Sequence, residues 1–313
     1  MRVVVLFACL AAAACARAQD LALTAGVMQS RVPDARSFAI GITYTQELTP
    51  WLDASLAYRN EGHVPGHHRD GHAALLWLKT QVFAPELTLA AGAGPYRYFD
   101  TEVAEIGTDY ANSHGWGAIY GVTATWRPRA SRWFYQLRIE HVETGVNLDT
   151  TMVMAGAGYR LEPDATGSPA PDHRERDDEV FVGGGQTIVN SFESENARAA
   201  LVSYRHAFGR VLRASVGFLH EGEAQLIRRD GVVLQGWLEP SFENDRFTLG
   251  IGYGGYFATD HYRSGEKDLL AIIGTTASYR LGSHWLGRFE WQRVASRHSR
   301  DSDIVVLGLG YRF

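Results

Sequence analysis

The chain has almost no lysine: of its 30 basic residues only Lys79 and Lys267 are lysines, and the rest are arginines. Genome composition is the simplest account of that bias, although the arginine fork also suits bidentate binding of phosphates and carboxylates. Cysteine is equally scarce. The only two, Cys9 and Cys15, precede residue 19. The remainder of the chain can therefore form no disulfide and no zinc–cysteine site. No run after residue 18 reaches the ~18 consecutive apolar residues of a membrane helix, and no stretch shows helical spacing of its apolar residues. A positive charge excess is also missing. The formal net charge is −5, which excludes nucleic acid as a general partner.

The first residues read as a secretory signal. Met1-Arg2 is a short basic start, Val3 to Ala14 is an apolar run, and Ala16-Arg17-Ala18 fits a small-x-small cleavage site. Such a segment is too short to span a bilayer as a helix. Cleavage near Ala18 is expected. The competing reading makes Cys15 a lipidated residue, but Ala12 stands three positions before it, where a larger aliphatic is usual.

What is present is a duplication. Glu61-Gly62 followed by Arg69-Asp70-Gly71 recurs as Glu221-Gly222 followed by Arg229-Asp230-Gly231, an offset of 160. Thr88-Leu89, Tyr96 and Asp100 recur as Thr248-Leu249, Tyr256 and Asp260. The offset falls to 153 at Ala118-Ile119 and Ala271-Ile272, then to 152 at Trp133 and Trp285. Both copies end alike, in Gly-Ala-Gly-Tyr-Arg-Leu at 156–161 and Gly-Leu-Gly-Tyr-Arg-Phe at 308–313. A repeat this long is a domain-sized block, far beyond a solenoid unit. The expected division is a signal at 1–18, a first repeat at 19–161, a polar linker at 162–178 and a second repeat at 179–313.

The dominant period is two. Trp133, Tyr135, Leu137 and Ile139 alternate with Phe134, Gln136, Arg138 and Glu140. Trp116, Ala118, Tyr120, Val122, Ala124 and Trp126 alternate with Gly115, Gly117, Ile119, Gly121, Thr123 and Thr125. One face is aromatic and aliphatic; the other is Gly, Ser and Thr with scattered Arg and Glu. A soluble sandwich would bury the apolar face, whereas a membrane barrel turns it to lipid and keeps the polar face inside. Eight candidate strands fall in each copy. Tight turns such as Pro85-Glu86 and Asn244-Asp245 alternate with long polar stretches such as 61–71, 101–113 and 221–231, as in outer-membrane barrels. Trp51, Trp126, Trp133, Trp285, Tyr311 and Phe313 cluster beside the tight turns, like an interfacial girdle.

A signal peptide, amphipathic strands and a last strand ending in Tyr311-Arg312-Phe313 resemble the Gram-negative outer-membrane β-barrel proteins. The resemblance implies an all-β transmembrane antiparallel barrel in the outer membrane. Its implied partners are membrane lipid, lipopolysaccharide and, through Tyr311-Arg312-Phe313, the barrel-assembly machinery. It does not specify an activity. The first and last strands of each block are edges that need partners. One ring of sixteen strands is the expected closure, with two tandem eight-stranded barrels as the alternative. A sixteen-stranded lumen implies a passive channel for small solutes or a saccharide-export pore. The rival readings are a non-pore structural or adhesion barrel and a lipid A-modifying enzyme.

Candidate contacts are charged. Arg59, Glu61, Arg138, Glu140, Arg288 and Glu290 would project inward. There they either line a pore that selects solutes by charge or fill a narrow lumen as ion pairs. The repeated Glu61/Arg69-Asp70-Gly71 and Glu221/Arg229-Asp230-Gly231 suggest a pair of mouth contacts for anions, or an Asp-Gly turn closed by a Glu–Arg pair. His63, His67, His68 and His72 offer imidazoles for a transition metal. The second copy has Glu223, Ile227, Arg228 and Val232 there, so a solvated loop is the reading adopted. No metal, cofactor or catalytic residue is expected. His298-Ser299 and Ser113-His114 lack the spaced arrangement of a lipid A deacylase, because adjacent strand residues face opposite sides.

Overall fold

A computed structural model describes residues 19–103, 110–145, 148–162, 178–192, 195–209, 211–224, 227–242, 245–262, 265–296 and 299–313. The signal with Ala18 and Cys15, nearly all of the 162–178 linker, and His298 lie outside them.

The first unit contains β1 (Gln19–Ser30), β2 (Ala35–Thr49), β3 (Leu52–Val64), β4 (His67–Val82), β5 (Ala84–Val103), β6 (Tyr110–Trp126), β7 (Trp133–Glu143) and β8 (Thr150–Glu162). Every sequential pair is antiparallel, and β8 returns to β1 to close the ring. The second unit contains β9 (Glu179–Val189), β10 (Asn196–Ala207), β11 (Leu212–His220), β12 (Arg229–Leu238), β13 (Ser241–Phe242), β14 (Phe247–Asp260), β15 (Glu266–Arg280), β16 (Trp285–Ala295) and β17 (Ser302–Arg312). Here β17 pairs with β9, and β12 pairs with β14 across the two-residue β13. β13 is split from β12 at Glu239-Pro240, because proline has no N–H to give the ladder.

The strands therefore close as two separate eight-stranded rings, and the single sixteen-stranded ring expected from the sequence does not form. The seams explain why. On the β1–β8 seam the lumen-facing pairs are Ala22 with Gly158, Thr24 with Gly156 and Gly26 with Met154. In the neighbouring β7–β8 pairing, a methyl group at Gly158 would overlap the ring of its partner Phe134. In the second unit, Gly183 and Gly308 sit under the Phe181 ring in the same way. An eight-stranded interior is only wide enough for side chains. These glycines give up their own volume so that large neighbours can fill it.

The outward face is a band of exposed apolar side chains. Leu23, Ile42, Leu78, Val122, Leu137 and Ile139 are all more than 40% exposed. Trp126 stacks on Tyr135, while Trp133 meets Tyr159 and Trp285 meets Tyr311 edge-on, all beside tight turns. A continuous apolar exterior of this kind is unstable in water and matches the lipid-facing band of a membrane barrel. Leu137→Arg, near the middle of that band, is expected to cost about 2–4 kcal/mol. The urea midpoint of the protein refolded into lipid vesicles checks this; an unchanged midpoint would rule out lipid contact there.

One stretch expected to be a loop is strand. In place of a polar loop over 61–71, β3 and β4 continue to a turn at Pro65-Gly66, where Gly66 has a φ of 80°. A bulge at Gly62 (φ 68°) absorbs the register shift between Asn60 and His63. Asp70-Gly71 is therefore not a turn. Both residues lie in β4, and Gly71 is small because the Tyr96 ring crosses it. β5 spans 20 residues, about twice the 9–11 of a membrane strand. Its far end and that of β4 extend past the apolar band.

Candidate functional site

The first lumen is layered. Near its tight-turn end, Lys79 Nζ lies 2.7 Å from Asp53 Oδ1 and 2.6 Å from Glu47 Oε2. Arg127 reaches Asp20 at 2.6 Å. These side chains line a cavity of about 950 Å³ that opens at that end and is floored by Trp77 and Arg138. In the next layer Arg59 donates from Nε to Glu140 Oε2 at 2.6 Å and from Nη2 to Oε1 at 2.9 Å. Arg138 donates to the same carboxylate at 2.5 Å. Arg59 and Glu140 have no solvent exposure at all. Arg138 lies over the Trp77 ring at 4.9 Å, and the Trp77 indole donates to Ser55 Oγ at 2.8 Å. Beyond the ion pairs the lumen is apolar, filled by Met28, Leu75, Ile119, Val142, Met152 and Met154.

Glu61 and Arg69 form the next layer. Arg69 donates from Nε to Glu61 Oε1 at 2.9 Å and from Nη2 to Oε2 at 2.6 Å. The Tyr96 hydroxyl donates to Glu61 at 2.7 Å, and Thr150 donates to it as well. Asp70 faces the other way and accepts from Tyr58 at 2.9 Å.

The second lumen repeats this upper layer. Arg229 donates to Glu221 at 2.8 and 2.9 Å, and Ser302, in the place of Thr150, donates to Glu221 at 2.6 Å. Asp230 faces His261 at 3.1 Å. The lower layers differ. Arg288 lies 2.5 Å from Glu179 and donates to Ser278 at 2.8 Å. Glu290 accepts from Arg205 at 2.8 Å. Glu239 is bound by Arg205 and, at 3.0 Å, by Arg213. Phe181, Leu201, Leu219, Leu270, Ile272 and Ile304 fill the space above.

The alternation and motifs do not single out Arg205, Arg213, Glu179 or Glu239, although the duplication carries a signal for two of them. At the offset of 160, Arg213 and Glu239 stand where the first copy has Asp53 and Lys79. This is the same ion pair with its charges exchanged, which only position-by-position comparison shows. Thr150 and Ser302 match at the offset of 152.

The four histidines do not converge. His63 and His68 are cross-strand partners on the outer face, with ring centroids 3.7 Å apart. His72 packs between Tyr58 and Phe99. Only His67 turns inward, where its Nδ1 lies 2.8 Å from Asp100 Oδ2. Both groups sit beyond the apolar band. The hydrogen bond to Asp100 holds the His67 imidazole above its ordinary pKa, and burial pushes the Asp100 carboxyl up despite that bond. Ser113 donates to Glu102, and His114 lies 3.2 Å from Arg97. The two therefore form no Ser–His pair.

Closed antiparallel rings, an apolar exterior and an ion-paired interior together decide the architecture. Each ring is a barrel of the outer-membrane type. No family model matches the chain, and no curated protein matches it. Among solved structures, the N-terminal β-barrel domain of Pseudomonas aeruginosa OprF is similar at 13% identity, covering 46% of this chain and 99% of that one, with a TM-score of 0.37. Neisserial surface protein A is similar at 12% identity over 45% of this chain and 96% of that one, with a TM-score of 0.35. KdgM porin is similar at 9% identity over 94% of this chain and 99% of that one, with a TM-score of 0.21.

Proposed function

We propose that the protein is exported by its N-terminal signal to the outer membrane of a Gram-negative cell and stands there as a non-conducting barrel protein. Its lumens are filled, and its outer hairpins face the surroundings. The reading rests on one observation. In the first barrel the section through Arg59, Glu140 and Arg138 is buried side chain, with methionine and aliphatic packing directly beyond it. The second barrel closes in its own way, with buried Arg205, Glu239 and Glu290 below an apolar cluster. Charges closed in this way hold one another in place and leave no water column.

A channel for small solutes is the second reading, and the cavity of about 950 Å³ at one end of the first lumen favours it. In that reading the Arg138–Glu140–Arg59 layer is a charged constriction on the solute path. Planar-bilayer recording of the refolded full chain separates the two. We expect no stable current steps above the lipid baseline. Reproducible open steps that change their ion selectivity in Arg138→Ala would overturn the closed-barrel reading and establish the channel.

A further inference from the structure

The protruding end of the β4–β5 hairpin holds a group of side chains that the filled lumen does not use. His67, Asp100 and Glu102 each offer a ligand atom, and these atoms all lie within 4.8 Å of one another. The ladder brings them together. His67 is the cross-strand partner of Glu102, and Asp100 is the partner of Arg69. Residues at this spacing share a face, so all of them point inward. We propose that this is a binding site for a divalent transition-metal ion, zinc being the best match.

The donor set argues for that class. One imidazole with two carboxylates suits Zn²⁺ and its neighbours in the first transition row, whereas sites for magnesium and calcium are built from oxygen alone. Two tetrahedral ligands each ~2.0–2.2 Å from a zinc ion stand about 3.3–3.6 Å apart. Small rotations of the Glu102 and His67 side chains therefore close the gap. The charge also fits, since two carboxylates neutralise the ion. Arg69, the nearest cation on this face, is already held by Glu61.

An independent observation points to a missing partner. Asp100 is 5% exposed, and among the described residues its buried Oδ1 has no hydrogen-bond partner. A buried carboxylate oxygen with nothing to accept is costly, and an ion between Asp100 and Glu102 would satisfy it. The hydrogen bond between His67 and Asp100 then gives way to metal–ligand bonds, and the proton leaves to solvent. Ser113, bonded to Glu102, orients that carboxylate from outside the site.

The duplicated half supplies a natural contrast. At the offset of 160 the residues are Ile227, Asp260 and Tyr262. Ile227 packs with Val189 and Ala224, and Asp260 is taken by Arg300. The second copy kept the aspartate and built an apolar and ion-paired contact around it, so one site per chain is expected.

Zinc titration calorimetry on the refolded full chain in detergent tests the site, with heat-modifiable gel migration confirming that each variant folds. One zinc per chain is expected. His67→Gln and Asp100→Asn should each weaken binding at least ~tenfold, since loss of an outer-shell partner alone costs that much. His63→Ala combined with His68→Ala should leave the affinity unchanged. If Asp100→Asn does not fold, Glu102→Gln at the strand end replaces it, with the same expectation. Absence of zinc binding, binding that survives His67→Gln, or loss of binding only in the His63/His68 variant would each overturn the proposal. Calcium bound as tightly as zinc would overturn the assigned metal class.

Discussion

Glu140→Leu is expected to destabilise the first barrel by about 3–5 kcal/mol, the usual consequence of removing one partner from a buried charge cluster. Glu140 accepts from Arg59 through two hydrogen bonds and from Arg138 through one. Without it, two guanidinium groups remain buried with no counter-ion. The cost is therefore the desolvation of stranded charge rather than the strength of the pair. A triple variant, Arg59→Met with Arg138→Met and Glu140→Leu, separates the two. It removes the stranded charges together, and such replacements are often neutral or stabilising. Urea unfolding in lipid, followed by loss of the heat-modifiable band, reads both variants. If the triple variant is no more stable than Glu140→Leu, the cluster acts through its shape and not through its charge balance.

The sequence carried some of this arrangement clearly and hid the rest. The two-residue period of β7 assigned Phe134, Arg138 and Glu140 to the interior and Trp133, Leu137 and Ile139 to the exterior, and those are the faces they occupy. Strand ends beside tight turns were also legible, because aromatics and prolines mark them. The number of rings was not. Strand edges at β1, β8, β9 and β17 are chemically alike, and no local pattern says which pair will meet. At the β9–β17 seam the glycines carry the answer, since Gly183 and Gly308 meet under Phe181 in a narrow lumen. That necessity appears only once the ring is closed. The outer β3–β4 hairpin is hidden for a different reason. His63 to Asp70 is polar, and polarity by itself reads as loop, yet a strand that leaves the membrane keeps its ladder without needing an apolar face. The candidate metal ligands were half visible for the same reason. Sequence proximity groups four histidines, while the ladder pairs His67 with Glu102, 35 positions away.

Arg69→Ala combined with Arg229→Ala is expected to impair assembly of both barrels. Each arginine is almost fully buried and holds a buried glutamate through two hydrogen bonds, Glu61 in one lumen and Glu221 in the other. Removing an arginine strands its glutamate, and about 3–5 kcal/mol is the expected loss in each unit. Thr150 and Ser302 would still donate to those carboxylates, but a hydroxyl does not replace a charge. Adding Glu61→Gln and Glu221→Gln should recover much of the stability, because an amide can stay neutral in the lumen and keep the contacts to Tyr96, Thr150 and Ser302. The same variants examine the anion-contact reading of these residues. A ligand contact requires the guanidinium groups to be reachable from the mouth, and then the double arginine variant should fold with normal heat resistance and lose lipopolysaccharide association. Poor assembly, rescued by the glutamine substitutions and accompanied by unchanged lipopolysaccharide association, is the result the buried geometry requires.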